Sequence, residues 1–221
     1  MIDFNFDNDC CGCSVCADVC PKACIKLTEN IYGFLIPSID KASCINCRLC
    51  EKVCPVLSPD KRVYKEKCVY SAISIDNNIR EKGSSGSVFY QLAHYVLSQG
   101  GIVYGAAFDE NMILRHVSID KLSDIKPLLK SKYLQSNCAG VYKSIKNQLQ
   151  AGRIIMFVGT PCQCNGLYKY LKGNKNIKNL VLIDFICHGV PSQQLFNKAL
   201  KKWETNHKYK IDSFEFRIKS N

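Results

Sequence analysis

The segment Cys10-Cys-Gly-Cys13-Ser-Val-Cys16-Ala-Asp-Val-Cys20-Pro21 recurs 34 residues later as Cys44-Ile-Asn-Cys47-Arg-Leu-Cys50-Glu-Lys-Val-Cys54-Pro55. Both copies space four cysteines by two, two and three intervening residues and place a proline after the last one. Ten of the fifteen cysteines lie in the first 54 residues. Because the acidic N-terminal residues 1–9 do not resemble a secretory signal, we expect a reducing cytoplasmic location, and therefore metal binding and not a disulfide framework.

Cysteines with this spacing are typical of bacterial two-cluster 4Fe-4S proteins, in which three closely spaced thiolates hold one cluster and the fourth holds the other. The sequence therefore predicts two 4Fe-4S clusters with crossed ligation. The first cluster is assigned Cys10, Cys13, Cys16 and Cys54, and the second is assigned Cys44, Cys47, Cys50 and Cys20. Zinc is the alternative, but structural zinc needs four ligands per site and rarely uses three such steps twice.

Other residues of this head are predicted to be structural. Residues 25–28 and 34–37 flank a turn at residues 30–33, which predicts a short hairpin packed over the clusters. Cys11 and Cys24 fall outside the ligand spacing, so we interpret them as small buried side chains.

Composition and charge exclude several classes of protein. The apolar content of 47% and charged content of 22% suit a globular chain, and no apolar run reaches the roughly 18 residues of a membrane-spanning helix. Residues 1–60 have a net charge of −3 and residues 61–221 have +14, and each 4Fe-4S cluster with four thiolates adds about −2. The lysines are scattered and lack clustered aromatic residues, so the basic balance favours an anionic cofactor or an acidic partner protein over nucleic acid.

The second part of the chain has the pattern of an α/β domain. Runs with the length and composition of strands cover residues 69–75, 102–108, 113–119, 154–158 and 180–186, and helical periods lie between several of them. These helical periods are marked by Val88, Leu92 and Val96, then by Tyr142, Ile145 and Leu149, and last by Leu195, Ala199 and Trp203. Ser84 and Ser85 are predicted to cap the first helix, and Gly100-Gly101 to end it. The predicted fold is an α+β ferredoxin-like head over residues 1–60, a linker at residues 57–62, and an α/β domain with a partly parallel sheet over residues 61–221.

Two loops after strands carry reactive side chains. Residues 159–163 follow one predicted strand, residues 187–192 follow another, and each loop leads into a helix. If these strands are neighbours, Cys162, Cys187 and His188 meet at the sheet edge where α/β proteins bind ligands, and we predict them as catalytic. Cysteines in such loops also serve as ordinary packing residues, so this alternative stays open. His94, His116 and His207 have no partner pattern and are interpreted as structural or surface groups.

Two further stretches are candidates for binding phosphate at the same edge. Residues 83–87 open a helix with small residues and hydroxyls, which suits close approach by a phosphate, although an ordinary capped helix has the same pattern. Residues 130–136 combine lysines, a tyrosine and serines, as a nucleotide site does, although a solvated loop also fits.

Taken in order, these motifs resemble the coenzyme F420 hydrogenase/dehydrogenase beta-subunit family, in the form with a fused ferredoxin domain. The resemblance rests on the two Cys-Pro runs and on four further motifs. These are Ser84-Ser-Gly-Ser87, Lys132-Tyr-Leu-Gln-Ser136, Val158-Gly-Thr-Pro-Cys-Gln163 and Cys187-His-Gly-Val-Pro-Ser192. The family usually continues well beyond residues 213–219, a predicted strand, so the resemblance implies that part of a substrate or flavin site lies outside residues 1–221.

The resemblance implies an iron-sulfur flavoprotein oxidoreductase with bound FAD. Single electrons would pass through the two clusters to or from a flavin, which exchanges two electrons with a small organic molecule or a deazaflavin coenzyme. A redox partner protein or subunit is also implied. The implied flavin contacts are Ser85, Gly86, Lys132, Tyr133, Ser136, Thr160 and Gln163, and Cys162 and Cys187 would flank the flavin or bind a further cluster. A non-catalytic electron-transfer subunit is the alternative, and a regulatory iron-sulfur sensor ranks last.

Overall fold

The structure is a computed structural model that describes residue 2, residues 9–59 and residues 68–218. The head contains helix α1 (Val15–Val19), strands β1 (Ile25–Glu29) and β2 (Leu35–Ile39), and helix α2 (Leu49–Val53). The two strands pair antiparallel with Leu27 opposite Pro37, so the predicted hairpin is confirmed. Most of residues 1–9 and the part of the predicted linker from residue 60 onward lie outside the described residues.

The body is an α/β unit built on a four-stranded sheet. Its elements are α3 (Asn77–Lys82), α4 (Val88–Ser98), β3 (Ile102–Phe108), β4 (Leu114–Ile119), α5 (Val141–Gln150), β5 (Ile155–Gly159), α6 (Pro161–Tyr170), β6 (Leu180–Asp184) and α7 (Gln193–His207). Short 3-10 turns occur at Leu122–Asp124, Lys126–Leu128 and Ile177–Asn179. The strand order is β4-β3-β5-β6, with β3, β5 and β6 parallel and β4 antiparallel to β3. The prediction of a partly parallel sheet is therefore confirmed.

The body's core lies on both faces of this sheet. Helices α5 and α6 cover one face with Tyr142, Ile145, Leu149 and Leu167, all fully buried against Phe157 of β5. Helix α4 covers the other face with Ala93, Val96 and Leu97. Such complete burial on both faces is typical of parallel strands. None of the helices within the described ranges is both long and apolar enough to cross a membrane.

Two predicted strands are wrong. Residues 69–75 form no strand, and Val69, Tyr70, Ile73 and Ile75 are exposed. The Ser74 amide donates to the Gly86 carbonyl, and among the described residues no further backbone bonds continue this contact into a ladder. Residues 213–218 also form no strand, and Lys219 lies outside the described residues. Phe214 and Phe216 instead pack against Phe196 of α7, the first edge-on and the second tilted.

Two details of the predicted helices are also wrong. In α7 the buried apolar side chain is Phe196, whereas Leu195 and Trp203 are exposed, because an adjacent apolar stripe packs onto Phe108 of β3. Helix α4 starts after Ser87, whose hydroxyl donates to the Ile79 and Arg80 carbonyls of α3 and caps no amide of α4. The predicted stop at Gly100 is confirmed, with a left-handed φ of 70° that glycine adopts without strain.

Candidate metal centres

Four of the repeated cysteines surround a cavity that we call site I. It is lined by Cys10, Cys13, Cys16 and Cys54, together with Cys11 and several apolar side chains. The loop that lines this cavity contains two residues in the left-handed backbone conformation, Gly12 and Ser14, and α1 starts directly after it. The amide of Gly12 donates to the Cys10 sulfur at 3.4 Å, which is the kind of backbone contact that supports a thiolate ligand.

The other four cysteines surround a second cavity, which we call site II. It is lined by Cys20, Cys44, Cys47 and Cys50, with Cys24 beside them. Asn46 and Arg48 adopt left-handed conformations in the loop before α2, as Gly12 and Ser14 do before α1. The structure thus repeats the same loop and short helix in both halves of the head.

The cysteines are grouped in the crossed arrangement that the spacing predicts. Helix α1 carries Cys16 at its second position, facing site I, and delivers Cys20 to site II at its other end. Helix α2 carries Cys50 to site II and delivers Cys54 to site I in the same way. The two helices pack against each other, so each cavity is closed by one cysteine from the opposite half.

The chemistry of the donor set fits a cationic metal cluster in each cavity. Burial raises the pKa of Cys10, and it raises the pKa of Cys16 to about 12, with nearby thiols adding to the effect. Four thiolates are stable in so apolar a space only when a cationic core compensates their charge. Within the described residues, no three metal-binding side chains lie close enough to hold a single ion. A four-iron cluster spaces its thiolates more widely than one zinc ion does.

The two cysteines outside the spacing differ from each other. Cys24 is buried as predicted, and its sulfur lies 3.3 Å from the Cys20 sulfur. Cys11 is exposed, so the prediction of a buried side chain is wrong. Although the residue as a whole is exposed, its thiol lines site I and hydrogen-bonds with the thiols of Cys13 and Cys162.

Site I lies against the body through Cys13. Cys13 and Val15 share one buried core with Tyr142, Phe157 and Leu167 of the body. The Tyr142 hydroxyl donates to the Cys13 carbonyl at 2.5 Å. A Cβ added to Gly166 of α6 would lie 3.6 Å from the Cys13 sulfur, so the helix approaches site I closely. Cys20 and Cys50 of site II belong to a separate core inside the head, which they share with Cys16 and Cys54 of site I.

Polar contacts fix the head on the body. The buried carboxylate of Asp18, in α1, accepts hydrogen bonds from the amides of Gly140, Tyr142 and Lys143 at the start of α5. The side chain of Gln135 accepts from the Leu35 amide at 2.7 Å and donates to the Leu35 carbonyl at 3.0 Å, as a neighbouring strand would. The Ser192 hydroxyl donates to the Tyr32 carbonyl at 2.6 Å.

The predicted catalytic group at the sheet edge is only partly assembled. Strands β5 and β6 are parallel neighbours, as predicted, so their loops leave the same edge of the sheet. Cys162, at the second position of α6, has the Thr160 hydroxyl 3.1 Å from its sulfur. Cys187 is half-buried and His188 is exposed, and in the described ranges neither makes a hydrogen bond to Cys162.

The residues that the resemblance implies for flavin contact fall into two groups. In one group, the Gln163 amide oxygen accepts from the Thr160 amide, and its nitrogen donates to Ser136. In the other, the Ser131 amide donates to the Ser84 hydroxyl, which brings Ser85 and Gly86 to the loop of Lys132 and Tyr133. The Lys132 ammonium donates to the carbonyls of Pro127 and Leu129, and burial lowers its pKa to about 8.

The first of these groups continues into a buried network that the sequence pattern did not indicate. His116 Nε2 lies 3.0 Å from the Val158 carbonyl, while its Nδ1 lies 2.5 Å from the Ser136 hydroxyl and 3.2 Å from the Cys138 sulfur. The carbonyl can only accept a hydrogen bond, so Nε2 carries the proton and donates it in that bond, and Nδ1 acts as an acceptor. Burial lowers the pKa of His116 to about 4, which keeps the ring neutral. The alternation of buried and exposed residues along β4 places the His116 side chain inside, and in the sequence this alternation was the available indication of a buried histidine.

Comparison with known proteins supports both parts of the chain. Residues 9–57 match the family model of the 4Fe-4S dicluster domain, and residues 152–221 match that of the C-terminal part of the coenzyme F420 hydrogenase/dehydrogenase beta subunit. An uncharacterised polyferredoxin-like protein of Methanocaldococcus jannaschii is 39% identical over 57 residues, which cover 22% of this chain and 34% of that protein. The resemblance predicted from the sequence is confirmed, and it assigns the chain an iron-sulfur domain and a redox-related body.

Proposed function

We propose that this chain is the electron-transferring part of an iron-sulfur flavoprotein oxidoreductase. Single electrons enter or leave at site II, pass through site I, and are exchanged with a flavin bound to the body. The observation that carries this proposal is that Cys13 of site I shares a core with Tyr142 and Leu167 of the body, while Cys20 and Cys50 of site II lie in a core of the head. This asymmetry gives the electron path an inner and an outer end.

The chain's own residues would keep the inner end rigid and dry. Cys13, Cys16 and Cys54 are only 6–7% exposed, so water has little access to these three thiols of site I. Asp18 and Tyr142 hold the loops around these cysteines to α5 by hydrogen bonds to backbone atoms. A fixed geometry of this kind suits electron transfer, because little has to move when the charge changes.

A bound flavin would supply the exchange between single electrons and a two-electron organic partner. The loops at Ser85, Gly86, Lys132 and Tyr133 form the part of the body that fits this role. They combine small residues, an ammonium group and a tyrosine that is 46% exposed. Ser136 and Gln163 are satisfied by each other and by His116, so we assign them the role of shaping the edge of the sheet.

The alternative, an electron-transfer subunit without a flavin of its own, has one specific observation in its favour. The Lys132 ammonium already donates hydrogen bonds to two backbone carbonyls. In this alternative the body serves to dock the head onto a catalytic partner. The organic substrate is then bound by that partner.

The test is anaerobic purification followed by iron, sulfide and flavin analysis with an absorption spectrum. We expect about eight iron and eight sulfide per chain, and one FAD. Clusters without flavin in this chain and in any longer natural form would support the alternative subunit. Zinc, or only about four iron after reconstitution, would contradict the two-cluster assignment itself.

A cytoplasmic location, a redox partner protein and a small two-electron donor or acceptor complete the proposal. They derive from the reduced thiols expected at the two sites and from the family resemblance. Turnover of a small molecule by the purified chain, with clusters and flavin bound, would distinguish an enzyme from a relay.

A further inference from the structure

The surface around site II differs in charge from the rest of the head. Residues 20–54 carry five basic and three acidic side chains, whereas the other residues of the first 60 carry five acidic side chains and no basic one. The head as a whole has a negative net charge, but the residues around site II do not. That face has a local excess of positive charge.

Two of these cations line site II, and two more are exposed close to its cysteines in the chain. Lys22 and Arg48 line the cavity together with its cysteines, and the Arg48 side chain is 71% exposed. Lys52 is exposed one turn after Arg48 in α2, and its amide donates to the Arg48 carbonyl. Lys41 is exposed, and its backbone carbonyl accepts a hydrogen bond from the Cys44 amide.

Acidic groups on this face are already engaged. Glu51 forms an ion pair with Arg48 at 2.8 Å, and its side chain is only 20% exposed. Asp40 accepts hydrogen bonds from the Ser43 hydroxyl and the Ala42 amide. The bound cluster would add negative charge beneath the surface, while the lysine and arginine side chains would remain in the outer layer that a partner meets.

Apolar side chains also lie at site II, beside these cations. Ile45 and Leu49 line site II and are 56% and 37% exposed, and Cys47 between them is exposed too. An apolar centre with a charged rim is the usual composition of a specific protein interface. An exposed cysteine at the centre brings a partner's redox group close to the cluster.

We propose that this face, made of Lys22, Lys41, Ile45, Arg48, Leu49 and Lys52, docks an acidic protein that carries one electron at a time. The proposal rests on the proposed function, since it assigns a partner to the outer end of the same electron path. The partner is identified by charge complementarity to the four cations and by the need to exchange single electrons with a cluster. The cations accelerate association, and Ile45 and Leu49 hold the complex together.

The experiment uses the full chain with both clusters and, as probe, an acidic 2Fe-2S ferredoxin, whose spectrum differs from that of 4Fe-4S clusters. Stopped-flow mixing measures the second-order rate of electron transfer from the reduced probe at low and high ionic strength. In Lys41→Glu/Lys52→Glu we expect the low-salt rate to fall about tenfold or more and its salt dependence to disappear. The matched control, Lys201→Glu/Lys202→Glu on α7, makes the same change in net charge and should keep most of the rate.

Ile45→Ala provides a second variant whose effect is not electrostatic. We expect faster dissociation of the complex, with an association rate close to that of the parent. Equal losses in the α7 control and in Lys41→Glu/Lys52→Glu would overturn the proposal, as would an unchanged rate in both. Iron and sulfide analysis of every variant separates the two proposals, because missing clusters would contradict the proposed function, whereas intact clusters with unaltered kinetics contradict only the docking face.

Discussion

The carboxylate of Asp18, in the head, accepts a hydrogen bond of 2.7 Å from the backbone amide of Gly140, in the body. The same carboxylate also accepts from the next two free amides of α5, at Tyr142 and Lys143. An N-terminal cap normally comes from a side chain close in sequence. Here the cap of α5 comes from 122 residues away, between Cys16 of site I and Cys20 of site II.

Removing this cap should destabilise both the head and the body. We expect Asp18→Asn to lower the free energy of unfolding by about 2 kcal/mol, because a buried charged acceptor is replaced by a single amide oxygen. Anaerobic denaturant titration measures this loss. Asp76→Asn is the matched control, since Asp76 caps α3 at the surface of the body. An equal loss in both variants, or none in Asp18→Asn, would show that the head is not fixed by this cap.

The buried histidine predicts a pH dependence of stability. The pKa of His116 is lowered from 6.5 to about 4 in the folded chain, so its contribution is complete above pH 6.5 and is lost as the pH falls towards 4. Between about pH 7 and pH 5 the loss amounts to about 2 kcal/mol. We expect His116→Gln to lack this slope, measured as the difference from the parent at each pH. The exposed His207→Gln should retain it, and an identical slope in both variants would contradict the assignment.

Crossed ligation predicts which cluster each cysteine supports. Cys54→Ala should cost the cluster of site I, although Cys54 follows the site II cysteines in sequence. We expect iron to fall from about eight to about four per chain, with the remaining cluster's electron paramagnetic resonance signal assigned to site II. Cys68→Ala, at an exposed position, is the control and should keep all of the iron. Selective loss of the site II signal would mean that ligation is not crossed.

The reciprocal test at site II needs two substitutions. Because the Cys24 sulfur lies 3.3 Å from that of Cys20, a single Cys20→Ala variant retains a thiol at the same corner of the cavity. Cys20→Ala/Cys24→Ala removes both, and we expect it to lose the cluster of site II while keeping that of site I. The same spectra and iron analysis apply, and a double variant with both clusters would contradict the assignment of Cys20.

Flavin binding at the edge of the sheet can be tested by three variants compared side by side. We expect Lys132→Ala to reduce the FAD bound per chain, because it removes the ammonium beside the Ser84 and Ser131 contact, and to leave both cluster spectra unchanged. Thr160→Ala and Cys162→Ser test the other side of the proposed site. Lys126→Ala, exposed in the same stretch, is the control. Unchanged flavin in all three variants would refute the site.

The parts of the fold that could be predicted are those in which local pattern and tertiary packing agree. The cysteine spacing fixed both the repeat and the grouping of thiols, because each ligand set comes from one short loop and one opposite helix end. Strands β3 and β5 were found from their apolar runs, since both are buried on two faces. Residues 69–75 have an equally apolar run but no neighbouring strand, and composition does not reveal whether a partner exists.

Long-range contacts account for what could not be predicted. Asp18 has the pattern of a surface carboxylate in a short helix, and only the fold brings it to α5. In α7, residues 195, 199 and 203 and residues 196 and 200 form two adjacent apolar stripes, so the sequence did not decide which stripe faces Phe108. His116 differs from His207 only through its inward position on β4, which places it against Phe157.

The core shared by Cys13, Val15 and Leu167 has a consequence for the life of the protein in the cell. A chain that has not received its iron has an empty cavity lined by four unligated thiols beside this apolar core. Such a chain opens more often and presents that core to proteases, whose cleavage follows the population of the open form. The amount of this protein would then follow the supply of iron and sulfide without any dedicated sensor, since incomplete chains are removed first.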